Sequence, residues 1–95
     1  MKTLSETLRG TKFYKKLTPY LACAYAEGFG EGEACTTDEE LSAWQYLVDT
    51  GLCWNLQGYY GRTAVRYLQE GIILPAQKDH KDYYGNTIPA NTIPR

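Results

Sequence analysis

The sequence predicts an all-α fold, a small bundle of three to four helices with an extended C-terminal tail. Three observations carry that prediction. Helix-capping residues stand at Thr3, Thr18 and Thr36, each just ahead of good helix formers. Apolar residues recur at helical spacing through residues 41–48 and 52–68. No two strand-like runs match, since Ile72-Ile73-Leu74 is a short candidate without a partner. Ninety-five residues suit one domain, which hides roughly two-thirds of its unfolded surface.

The elements follow in order. Thr3-Leu4-Ser5-Glu6 fits a capping box, and Gly10 stops that short helix. Residues 11–16 are basic, contain Phe13 and Tyr14, and can add one or two helical turns. Thr18-Pro19 restarts the chain, with proline where its missing amide hydrogen is not needed. Gly28 then ends a helix, and Phe29 packs back after it. Three glycines between positions 28 and 32 make a loop. Gly28-x-Gly30-x-Gly32 is not read as a phosphate cradle. It follows a helix rather than a strand, and Glu31 and Glu33 would repel the ligand.

The strongest helix start is Thr36-Thr37-Asp38-Glu39-Glu40. Either Thr36 with Glu39 or Thr37 with Glu40 makes a capping box, and the acids suit the positive end of the helix dipole. Leu41, Trp44, Leu47 and Val48 form one apolar face, and Gly51 ends the helix. Leu52, Leu56, Tyr60, Ala64 and Leu68 are four apart, with Cys53, Tyr60 and Tyr67 beside them. They predict a long amphipathic helix over 52–70. Gly58 and Gly61 interrupt it, so either the helix breaks near Gly58 or another backbone packs closely there. Gly71 and Ile72 read as a Schellman end, and Pro75 stops continuation. The helical domain thus covers residues 1–75. Residues 76–95 form a polar tail with a turn at Tyr84-Gly85-Asn86. It closes on a short repeat, Asn86-Thr87-Ile88-Pro89-Ala90 and Asn91-Thr92-Ile93-Pro94-Arg95. Proline favours extended backbone there.

The net charge is −1, which argues against coating nucleic acid through bulk positive charge. No apolar run approaches the roughly 20 residues of a membrane span, and no secretory signal is visible at the start. The charges are segregated. Residues 1–16 are basic, and residues 27–49 hold seven acids and no base. Glu31, Glu33, Asp38, Glu39 and Glu40 form an acidic patch. It faces a basic partner, or simply water and the helix start.

Cys23, Cys35 and Cys53 are an odd set without a Cys-x-x-Cys pair, which predicts free thiols in a reducing cytoplasm. Cys23 and Cys53 are expected to be buried, and Cys35 exposed beside acids that disfavour its thiolate. His80 has no companion at ligand spacing, so no metal site is expected. No cofactor motif and no catalytic constellation is visible. Candidate acids such as Glu39 and Glu40 are explained as caps.

Nine tyrosines and two tryptophans are a high load, and both residue types suit interfaces. Trp44 belongs to its helix's apolar face, hence to the core. Trp54 and Tyr59 fall off the four-residue row and are contact candidates. Tyr83 and Tyr84 sit in the polar tail, either as an aromatic anchor for a partner or as part of a tail that folds back on its own body.

Two stretches carry a resemblance. Ala43-Trp44-Gln45-Tyr46-Leu47-Val48-Asp49-Thr50-Gly51-Leu52 is followed by Leu56-Gln57-Gly58-Tyr59-Tyr60-Gly61-Arg62-Thr63-Ala64. Together they resemble a family of short proteins of tailed bacteriophages, over residues 37–74. The resemblance implies phage origin and action inside the bacterial host's cytoplasm. It supplies no catalytic residues, and it draws attention to Gly58, Gly61, Arg62 and Thr63.

The expected function is therefore binding to a host protein without catalysis, as an inhibitor of a defence system or another host machine. Self-association into a homo-oligomer is a further use of the same aromatic surfaces. The alternative is a nucleic-acid-binding regulator. Residues 37–50 and 52–70 loosely follow a helix-turn-helix, with Arg62 and Arg66 four apart on the second helix. The acidic first helix opposes it.

Overall fold

The computed structural model describes residues 3–56, 58–82 and 84–93. The fold is mostly helical, as expected. The described residues hold five α-helices, two short 3-10 turns and one two-stranded antiparallel sheet. The chain divides into two compact units, Met1–Leu47 and Val48–Arg95.

The first unit contains α1 (Leu4–Arg9), α2 (Lys12–Lys16), α3 (Pro19–Glu27), a 3-10 turn at Gly30–Gly32 and most of α4 (Thr37–Asp49). Threonine hydroxyls start the first three helices. Thr3, Thr11 and Thr18 Oγ1 accept from the backbone N–H of Glu6, Tyr14 and Leu21 at 3.1, 3.1 and 3.2 Å. Each such cap is worth about 1 kcal/mol. The start of α4 settles which box forms. Thr36 N–H donates to Glu39 Oε1 at 2.9 Å, and Glu39 N–H donates to Thr36 Oγ1 at 3.1 Å.

The buried side chains of this unit include Leu8, Leu17, Ala22, Ala24, Ala26, Ala43, Trp44 and Leu47. The alanines of α3 let the 3-10 turn approach the helix backbone closely, as the position of Gly32 shows: a Cβ added there would lie 2.5 Å from Tyr25 Cα. Burial in α4 is wider than one stripe, because Ser42 and Gln45 are buried along with Ala43, Trp44, Leu47 and Val48.

The second unit takes up the end of α4. It continues with a 3-10 turn at Leu52–Trp54, α5 (Gly58–Gln69), β1 (His80–Lys81) and β2 (Thr87–Ile88). The predicted continuous helix over 52–70 is corrected here. The chain makes a tight turn at Leu52–Trp54, and α5 begins only at Gly58. Asn55 is the physical reason. Its side-chain amide donates back to the Gly51 carbonyl at 3.3 Å and across to the Lys81 carbonyl at 2.9 Å. A side chain that satisfies backbone groups locally competes with helix. The four-residue row is cut accordingly. Tyr60, Ala64 and Leu68 are buried, while Leu56 is exposed. The end of α5 is the expected Schellman turn. Gly71 N–H donates to the Leu68 carbonyl at 3.1 Å and Ile72 N–H to the Tyr67 carbonyl at 3.0 Å.

The tail also needs a correction, since no strand pair was expected. His80 pairs with Ile88 and Lys81 with Thr87. Two residues per strand are too short to leave a periodic signal. The turn makes the pair instead. Asp82 Oδ1 accepts from the backbone N–H of Tyr84 and of Asn86, both at 2.9 Å, and Gly85 takes a φ of +82°. Aspartate in this role mimics a backbone turn. Beyond β2, Ala90 N–H donates to Asp79 Oδ1 and Asn91 N–H to the Ala76 carbonyl, each at 2.7 Å.

His80 ties β1 to the end of α4. Its Nε2–H donates to the Asp49 carbonyl at 2.9 Å. Its ring lies over Gly51, whose φ is +76° and whose added Cβ would come 2.5 Å from His80 Nδ1. Gly51→Ala therefore meets two penalties. The left-handed backbone costs roughly 1–2 kcal/mol for any L side chain, and the imidazole must also move. The thermal midpoint is expected to fall. In an H80A background the Gly51→Ala cost should shrink to the backbone part alone.

Candidate functional site

An open groove of about 690 Å³ lies within the second unit. The turn after α4 supplies Cys53, Trp54 and Leu56. The first two turns of α5 supply Gly58, Gly61, Arg62 and Val65. The hairpin supplies Asp82, Tyr84 and Ile88. The lining is chiefly apolar, with one cation and one carboxylate.

The two glycines act differently here. A Cβ on Gly58 would lie 2.8 Å from Arg62 Nη1. Arg62 thus folds back along its own helix and rests its guanidinium over the first turn. A Cβ on Gly61 would sit 3.7 Å from the Cys53 carbonyl oxygen and 3.9 Å from Trp54 Cε3, an ordinary contact. Nothing in that geometry forbids alanine. Gly61→Ala is expected to raise stability by up to about 1 kcal/mol, the helix-propensity difference. Urea denaturation would measure it.

The charged pair of the groove is unequal. Asp82 is engaged, its Oδ1 accepting two backbone N–H groups and its Oδ2 accepting from Asn86 Nδ2 at 3.4 Å. Arg62 is exposed and makes no ion pair or hydrogen bond among the described residues. Trp54 is half-buried, and its indole Nε1 is shut from solvent with no hydrogen-bond partner among the described residues. Such an orphaned donor costs about 1–3 kcal/mol.

The residues singled out from the sequence fall in several places. Trp54, Gly58, Gly61, Arg62 and Tyr84 come together in the groove. Tyr84 is 84% exposed. Tyr59 is exposed and sets its ring edge-on to Tyr60 at 5.4 Å. The Arg66 guanidinium lies 5.4 Å from the centre of the Tyr67 ring, a cation–π contact. Tyr83 lies outside the described residues.

The acidic residues belong to the first unit. Glu31 accepts from the Tyr20 hydroxyl, and that bond together with its charge raises the Tyr20 pKa. Glu33 and Asp38 are exposed, and Glu39 is the cap of α4. Glu40 and Glu39 act on Cys35. The Cys35 thiol is pushed up first by burial, then by Glu40 and Glu39.

Cys35 is half-buried, not exposed as expected, and its Sγ contacts the Tyr25 carbonyl at 3.7 Å. The loop folds onto α3, which loop composition alone does not reveal. Cys23 is half-buried, although it was expected in the core. Cys53 is buried as expected, and that burial pushes its thiol far up. All three are free thiols.

Sequence reasoning missed Cys53, Leu56, Val65, Asp82 and Ile88 as groove residues, and Asn55 and His80 as the ties behind it. An aspartate three residues before a glycine and four before an asparagine was the legible signal for the Asp82 turn. The other residues meet only through the tertiary fold. A smaller hollow of about 280 Å³ in the first unit is lined by Thr7, Thr11, Phe13, Asp38, Glu39 and Ser42. Thr11 and Glu39 there already serve as caps. No cluster of metal-ligating residues occurs among the described residues. Nor is any described helix long and apolar enough to cross a membrane.

A family model described as a domain of unknown function (DUF7417) matches residues 29–85, more than half of the 95-residue chain. The matched segment contains α4, α5, β1 and every groove residue except Ile88. No curated protein matches the chain, and no solved structure does.

Proposed function

We propose that this chain, which belongs to the DUF7417 family, works by binding another protein through the α5–hairpin groove and carries out no chemistry of its own. The observation that supports the reading is the groove itself. It gathers apolar side chains, two aromatics and one cation without an ion pair or hydrogen bond among the described residues. An apolar centre with aromatic and arginine anchors is the composition of protein-binding hot spots. The resemblance to short tailed-phage proteins supplies the setting. On that reading the protein acts in the cytoplasm of a bacterial host, and its partner is a host protein whose work it blocks.

The nucleic-acid alternative has less support. A helix-turn-helix joins its helices by a turn of about 3–4 residues, whereas residues 50–57 separate α4 from α5 here. Arg66, moreover, packs its guanidinium against the neighbouring Tyr67 ring.

The test is affinity capture from bacterial lysate with nuclease present, comparing wild type with V65E. Val65 is half-buried in the groove, so glutamate there places a charge where an apolar side chain would dock. A stoichiometric protein held by wild type and lost by a folded V65E is the expected result. Equal capture by both would remove the groove from the account. Retention that vanishes with nuclease would favour nucleic acid.

A further inference from the structure

Resting on the reading of the groove as a protein-binding site, we infer that its occupant is a peptide segment carrying a large apolar side chain beside a carboxylate. The groove presents one exposed donor group without an acceptor among the described residues, the Arg62 guanidinium; the Trp54 indole N–H behind the lining is shut from solvent and offers an occupant nothing. It presents one strong acceptor, Asp82, whose two oxygens are already taken by its own turn. An occupant that brings donors finds Asp82 already accepting three hydrogen bonds from its own turn. An occupant that brings a carboxylate meets a planar fork of guanidinium N–H groups, whose geometry it can match with two parallel bonds.

The apolar half of the ligand follows from the rest of the lining. Leu56 and Val65 are incompletely buried, and Ile88 closes the hairpin side. The groove as a whole, about 690 Å³, has room for a large side chain. Covering those surfaces also strengthens the charged contact by excluding water.

The same groove disfavours a polyanion. The Asp82 carboxylate lines the same groove, so a chain of phosphates would meet like charge beside Arg62, whereas a single carboxylate can sit on Arg62 alone. A basic peptide meets Arg62 itself. Gly58 completes the device, because any side chain at that position would push the guanidinium off its seat. The glycine is thereby a positioning residue for Arg62.

The experiment selects binders from a displayed random-peptide library on the full-length protein. The enriched peptides are then titrated against wild type, R62Q, G58A and V65E, beside a fluorescent single-stranded oligonucleotide. The expected peptides place Asp, Glu or a terminal carboxylate next to Leu, Ile, Phe or Trp. R62Q should weaken them on the order of tenfold, the usual worth of one charge-assisted hydrogen bond. Replacing the peptide's acid with its amide should cost wild type the same factor and cost R62Q nothing further. G58A should shift affinity in the same direction while the protein stays folded, since only a flexible side chain opposes the new methyl group.

Peptides without an acidic preference, bound equally by R62Q and lost only in V65E, would overturn the carboxylate inference and leave the groove reading standing. No enrichment over V65E would overturn both. Binding of the oligonucleotide in place of peptides, lost in R62Q, would replace both with the nucleic-acid reading.

Discussion

Gly32→Ala is expected to be among the most damaging single substitutions in the first unit. Gly32 is buried, and its backbone lies directly on α3. A methyl group there would run into the Ala24 carbonyl and come 2.5 Å from Tyr25 Cα. Both obstacles are main chain, so no side-chain rotamer relieves them. The turn at Gly30–Gly32 must lift off α3 or the helix must bend. Overpacking usually costs about 1–3 kcal/mol, and a rigid backbone obstacle puts this case at the upper end. For a domain of this size that is a fall in thermal midpoint on the order of 15 °C. Glu33→Ala, one position on and exposed, should leave the midpoint nearly unchanged. Equal melting of G32A and wild type would show that the turn does not pack on α3 as described.

Trp44→Ala is expected to cost as much or more by the opposite route. Trp44 is the largest of the fully buried side chains, 1% exposed. Truncating a buried tryptophan removes its apolar transfer energy and leaves a cavity, in total about 3–5 kcal/mol. That is a large part of the roughly 5–15 kcal/mol that holds a domain folded. Urea unfolding of W44A should show a much lower midpoint or no folded baseline. Trp54 remains in that variant as the sole tryptophan, so its fluorescence reports the groove directly. A midpoint close to that of wild type would contradict the burial of Trp44.

These two residues differ in how well the sequence announced them. Trp44 was legible, because Leu41, Trp44, Leu47 and Val48 recur at helical spacing. Gly32 read only as part of a glycine-rich loop. A close backbone approach is a tertiary event, and the local sequence has no periodicity that encodes it. Caps were legible for a physical reason, since the Thr36 and Glu39 partners lie within one turn of chain. The break before α5 was half legible. Gly58 flagged it, but spacing alone extended the helix across Asn55, whose side chain bonds locally to Gly51 and to Lys81 on a strand 26 residues away. The strand pair itself was invisible to periodicity, being two residues long.

The site was legible in part for the same reasons. Gly58, Gly61 and Arg62 lie within one helical turn of each other, so their spacing could be noticed from the chain. What the spacing could not show was that Arg62 reaches back over Gly58, or that the hairpin brings Asp82, Tyr84 and Ile88 to the same groove. Tyr59 and Arg66 were chosen for exposure and charge; both are exposed, and each also meets a neighbouring tyrosine on α5. The acidic residues serve local ends in the first unit, as a cap at Glu39 and as a hydroxyl acceptor at Glu31.

The central claim is that the α5–hairpin groove is where a protein partner sits. Hydrogen–deuterium exchange of the chain, alone and saturated with its captured partner, tests this most directly. The account predicts new protection at the Leu52–Trp54 turn, at the start of α5 through Val65, and across residues 82–88. Protection confined to the acidic stretch of residues 27–40, with the groove exchanging as before, would contradict it.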